Sequence, residues 1–122
     1  MAQLEFSVPY NGDAATLRQL IALQRRNGNV IREIYLNAPQ AITGSGRVGN
    51  VTTLDEFVGV VSIIREAGIR VDVTMNSTCD GGDWYAEETL NRQIGFIRDM
   101  HEQHGIEAVT LANPFLIEQA RQ

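Results

Sequence analysis

The feature that most constrains this chain is a repeat of strand-like and helix-like segments along its length. Residues 4–9 alternate apolar and polar, and Asn11-Gly12-Asp13 breaks the pattern. Asp13 is placed to cap a helix running to about residue 27, with Leu17, Leu20 and Ile21 on one face, and Asn27-Gly28-Asn29 stops it. Residues 31–36 read as a second strand and 37–52 as a long loop. Thr53-Leu54-Asp55-Glu56 has the spacing of a capping box, in which hydroxyl and carboxylate each satisfy an orphan backbone N–H. Leu54, Phe57, Val58, Val61 and Ile64 then keep helical spacing up to Gly68. The third unit is a β-branched strand at 69–75, a loop at 76–84 and a helix at 85–104 with Leu90, Ile94, Ile97 and Met100 along one stripe. Gly105 closes it, residues 106–111 form a fourth strand, and a short helix at 115–122 follows the Asn113-Pro114 turn. Strands alternating with helices imply βαβ crossovers and a parallel sheet.

Length limits what such a repeat can build. A complete eight-unit barrel needs about 200 residues or more; 122 residues make one domain, expected to span 1–122. Hydrophobic content of 43% and charged content of 20% exclude a disordered or fibrous chain. No apolar run approaches the roughly 18 residues of a membrane span, and the start Met1-Ala2-Gln3-Leu4-Glu5 lacks the pattern of a secretory signal, so a cytoplasmic protein is expected. The single Cys79 excludes an internal disulfide and any self-contained cysteine metal site, so no cofactor and no metal are expected. A net charge of −5 argues against an extended nucleic-acid surface.

Strand parity carries further information. Leu4, Phe6 and Val8 oppose Glu5, Ser7 and Pro9; Ile34 and Leu36 oppose Glu33, Tyr35 and Asn37; Val71, Val73 and Met75 oppose Asp72, Thr74 and Asn76. A sheet covered by helices on both faces has almost continuously apolar strands, and these are not. The expected fold is therefore α/β, a (βα)4 half of a TIM-type barrel with parallel strands and all helices on the apolar face. A flavodoxin-like open sheet is the alternative. The polar face then looks into a concavity, where Glu33-x-Tyr35-x-Asn37 and Asp72-x-Thr74-x-Asn76 match in chemistry and spacing. Each Asn falls at the C-terminal end of its strand, where α/β proteins bind ligands. Asn113 follows strand four in the parity of Val109 and Leu111, so a bend is needed to aim it inward. Two readings stand side by side: Asn is also a common turn residue, and Glu33 and Asp72 are either a solvated face or a functional pair.

These elements together resemble the N-terminal half of the U32 peptidase (collagenase-like protease) family barrel. In that family an E-x-Y strand leads to a loop with an Arg, a helix start of the N-F-[ST]-x-E-E-[LF] type and a strand ending in Asn. Here the corresponding residues are Glu33 to Leu36, Arg47 through Asn50, Thr53 to Phe57 and Ile69 to Asn76, with Ile106 to Val109 and Asn113-Pro114 similar to the next strand and its ending. The resemblance covers nearly the whole chain. It implies a barrel scaffold and, for an active member, protein breakdown or a hydroxylation-associated role in RNA or quinone modification; whether this chain is an enzyme stays open. Several members are thought to hold an iron–sulfur cluster on four cysteines, and here only Cys79 is present. Asn113 stands where the family often has Asp, and N-F becomes Asn50-Val51.

Gly44-Ser45-Gly46-Arg47-Val48-Gly49 is formally G-x-G-x-x-G, yet strand and helix lie too far from it for a dinucleotide turn. It reads instead as a loop carrying Arg47, with anion binding and simple mobility as competing roles. Cys79 has no nearby base, Asp80 and Asp83 lack cation-loop spacing, and Trp84 reads as a lid or packing residue. His101 and His104 fit the last turn of a helix better than a metal site. The candidate ligand-binding set is thus Glu33, Tyr35, Asn37, Arg47, Asn50, Asp72, Asn76 and Asn113, with no catalytic residue assigned. A small polar or anionic ligand is the expected occupant. The open strand edges point to a homo-oligomer, with a homodimer first, or to a missing second half-barrel. The competing reading is a non-catalytic self-assembling or ligand-binding module that kept the scaffold and lost the family's chemistry.

Overall fold

A computed structural model describes residues 4–26, 28, 31–39, 42, 53–75 and 86–121. Four strands and four helices alternate: β1 (Phe6–Pro9), α1 (Ala14–Arg26), β2 (Ile31–Asn37), α2 (Leu54–Glu66), β3 (Arg70–Met75), α3 (Glu87–His104), β4 (Ala108–Leu111) and α4 (Pro114–Ala120). Local chemistry sets most boundaries. Asp13 accepts the Ala15 N–H at 3.0 Å and the Thr16 hydroxyl at 2.6 Å, which holds its carboxyl below the ordinary value. Thr53 and Glu56 complete the capping box of α2 in both directions. Gly68 and Gly105 turn the chain out of α2 and α3 at φ 76° and 68°, a region in which a side chain is strained.

All strand pairs are parallel, in the order β1-β2-β3-β4. A doubly wound sheet of flavodoxin type reverses its strand order at a switch point; this sheet has no reversal. Right-handed crossovers between successive neighbours put every connecting helix on the same side. The buried residues agree. Ile34, Leu36, Val71, Val73 and Met75 form one cluster with Leu17 and Ile21 of α1, Phe57, Val61 and Ile64 of α2, Leu90, Phe96 and Met100 of α3, and Leu116 of α4. This is the (βα)4 order of half a barrel.

Some details differ from the sequence expectation. β1 begins at Phe6 and β4 at Ala108, each two residues later than the patterns suggest. The buried stripe of α3 is Thr89, Leu90, Gln93, Phe96 and Met100; Ile94 and Ile97 flank it. The stripe turns because Phe96 packs against Phe57, ring centroids 5.7 Å apart, and carries polar Gln93 inward with it. In α2, Val60 is buried and Leu54 is exposed.

Gln24 is buried in α1 and spans the connection to β2. Its Nε2 donates to the Ile31 carbonyl at 3.1 Å and its Oε1 accepts the Ile31 N–H at 2.6 Å. Gln24→Leu keeps the volume and orphans both backbone groups, so it should destabilise the fold by about 1–3 kcal/mol in urea unfolding. A loss below about 0.5 kcal/mol would show that water or another group replaces the amide.

Candidate functional site

The strand register stacks the polar face into three rungs. Ser7, Glu33 and Arg70 are lateral neighbours in the first; Pro9, Tyr35, Asp72 and Ala108 in the second; Asn37, Thr74 and Thr110 in the third. Parity places these side chains opposite the apolar core. Glu33, Tyr35 and Asp72 are half-buried, Thr74 is buried, and Ser7, Asn37, Arg70 and Thr110 are exposed.

Cross-strand hydrogen bonds tie the rungs together. Ser7 Oγ donates to Glu33 Oε1 at 2.8 Å. Thr110 Oγ1 reaches one rung toward the strand N-termini and donates to the Asp72 carboxylate, 3.0 Å from Oδ1 and 2.9 Å from Oδ2. Thr74 Oγ1 donates to Asn37 Oδ1 at 2.6 Å. Both carboxylates thus receive a neutral hydroxyl, and no salt bridge to either one is formed among the described residues. Burial pushes the Asp72 carboxyl above its ordinary value; the Thr110 hydroxyl opposes this, the nearby Glu33 charge adds to it, and Arg70 partly offsets it.

No family model, no curated protein and no solved structure matches the chain.

Glu33, Tyr35, Asn37 and Asp72 come together on one face. Arg47, Asn50 and Asn76 lie outside the described residues, as do Cys79, Asp80, Asp83 and Trp84. Asn113 is placed elsewhere: its Oδ1 accepts the Phe115 N–H at 3.0 Å as the N-cap of α4, and its side chain is buried. The helix start thus occupies that oxygen. Asn11 likewise does turn work, accepting the Asp13 N–H at 3.1 Å. His101 lies in the last turn of α3, its Nδ1 2.8 Å from the Ile106 carbonyl, away from the rungs. No helix among the described residues is long and apolar enough to cross a membrane. No group of three or more His, Cys, Asp or Glu among them is placed to hold a metal ion.

Ser7, Arg70 and Thr110 belong to the site and were not among the sequence candidates. Ser7 and Arg70 share the parity of the polar triplets, so alternation alone could have found them. Thr110 was hidden because β4 is short, and only the register brings its hydroxyl back to Asp72.

The Asp72 carboxyl has a stability consequence of definite sign. Its raised pKa means that the folded chain holds this proton more tightly than the unfolded one, so stability falls as pH rises from the ordinary 3.8 through the raised value. Asp72→Asn keeps an acceptor for Thr110 and removes the charge. The variant should melt at a higher temperature than the native chain at pH 7, by under about 1 kcal/mol because solvent screens a half-exposed group. The advantage should vanish below pH 3.8. A variant less stable at pH 7 would show that the charge supports the fold.

Proposed function

We propose that the chain is a binding half-barrel whose polar face holds a small polar ligand over the rungs of Glu33, Tyr35 and Asp72, reaching toward the C-terminal ends of its strands at Asn37. The observation that supports this best is that, among the described residues, Glu33 and Asp72 pair with hydroxyls alone, across a face that the described helices leave uncovered. A carboxylate whose task is structural is ordinarily matched by a cation or by several backbone donors. Here two acids retain acceptor capacity beside Tyr35, and burial raises the Asp72 carboxyl above its ordinary value, as at sites that serve something other than folding. Donor groups of a ligand, an amide, amine or guanidinium, fit these acceptors.

The resemblance to the N-terminal half of the U32 peptidase barrel fits this scaffold and its E-x-Y strand. The family's four-cysteine cluster does not fit: one cysteine cannot supply four thiolates. We propose binding as the role of this half-barrel, in a cytoplasmic module that works as a homo-oligomer or beside a second half-barrel.

Amide chemical shifts of the native chain, followed during titration with arginine amide and separately with inorganic phosphate, test the site. We expect arginine amide to shift Tyr35, Asp72 and Thr74. Combining Glu33→Gln with Asp72→Asn should weaken that binding about ten- to hundredfold, as loss of charge-assisted hydrogen bonds implies. Shifts confined to other surfaces, or none from either probe, would overturn the reading.

A further inference from the structure

We infer that two copies of this chain close edge to edge into one eight-stranded barrel, β4 of each lying beside β1 of the other. Among the described residues β1 and β4 end the sheet, each with a single strand neighbour there and each four residues long. Their outer backbone groups are templates for another strand; β4 has no Lys or Pro to discourage pairing, and in β1 Pro9 leaves its outer carbonyl as an acceptor but no donor, so that junction is one ladder bond short there.

The exposed large apolar side chains gather at these same two ends. Among the described residues, five of the six are Leu4 and Phe6 at β1, Leu23 on α1, and Phe115 and Ile117 on α4; Leu54 is the exception. Leu23 faces away from α2, since the α1–α2 groove is lined by Arg18, Ile21, Ala22 and Arg25 from the other side of α1. It therefore lies on the β1 side of the molecule.

The operator that joins the two ends follows from the strand order. A two-fold axis along the sheet's strand direction sets β4 beside the partner's β1, parallel, at two identical junctions. A head-to-tail contact closes only when its rotation does; a half-turn closes this one at eight strands, a number at which side chains fill the interior. A right-handed crossover helix covers the groove between its own strand and the next. For α4 the next strand is the partner's β1, and so Phe115 and Ile117 meet the partner's Leu4, Phe6 and Leu23. Covering these half-exposed side chains in both copies buries on the order of 1,000 Å², before strand backbones are counted, which is what a specific dimer needs. A second copy is the occupant because both halves of the junction, a free strand and the apolar helix that covers its neighbour, are carried by this one chain.

Closure also completes the site, a point that rests on the binding reading above. Two sets of Glu33, Tyr35 and Asp72 then face one interior, and a ligand there touches both copies.

Light scattering after size exclusion tests the assembly without any ligand. The native chain should run at about twice 13.5 kDa. Phe6→Lys and Ile117→Glu should each run at 13.5 kDa with unchanged circular dichroism, because both side chains are exposed in the single copy. Mixing the two variants should restore the dimer, since the mixed pair has one native junction and one Lys–Glu junction. If either charged variant unfolds, Phe6→Ala and Ile117→Ala replace it, and each should raise the dimer dissociation constant about tenfold or more. A native mass of 13.5 kDa at every concentration, a ladder of larger species, a dimer indifferent to these variants, or a mixture that stays monomeric would each overturn the barrel. The titration of the polar face is read separately, so a monomer that shifts with arginine amide removes the barrel and keeps the site. A dimer that ignores the probe does the reverse.

Discussion

Right-handed crossovers between strands in sequential order leave a parallel sheet with helices on one face only, and the rest of this molecule answers to that one-sidedness. The apolar parity of β2 and β3 can be buried because four helices supply partners for it. The opposite parity has no helical cover among the described residues, and its side chains pair with each other. Ser7 with Glu33, Thr110 with Asp72 and Thr74 with Asn37 are the pairs. Hydroxyls suit this role because one O–H can reach a neighbouring strand without filling the space above it.

Much of this was legible in the sequence, for a specific reason. Period-two alternation is a direct image of the two faces of a strand, so Glu33, Tyr35 and Asp72 declared their side of the sheet before any coordinates. The capping box at Thr53 and the left-handed Gly105 were equally plain, since each depends on residues adjacent in the chain. Asn113 could not be settled that way. Its type suits both a ligand and a helix cap, and only the path of α4 decides between them. Gln93 and Phe96 were missed because α3 presents its stripe to an aromatic partner on another helix, and no window of local sequence contains Phe57.

The polar face differs from an ordinary solvated surface in the company its acids keep. A surface carboxylate has water on most sides and titrates normally, whereas Asp72 is desolvated by its own sheet and has Glu33 close enough to oppose its ionisation. The desolvation is local to Asp72; the outer members of the rungs, Ser7, Asn37 and Thr110, stay exposed.

The links between helix ends and following strands bear on how the chain folds. Gln24 holds Ile31 across seven residues, His101 meets the Ile106 carbonyl across five, and the Ile69 N–H returns to the Ile64 carbonyl. Each is a contact at short range in the chain, closable within a single helix–strand turn at little entropic cost. The pairing of strands is another matter: Asn37 and Thr74 are 37 residues apart, and Asp72 and Thr110 are 38. Three locally locked turns therefore stand beside a sheet whose pairings join distant pieces of the chain, and distant pairings are the slower kind to close. During that interval the strand edges lie bare, so the rate of refolding and the concentration of chains become linked quantities.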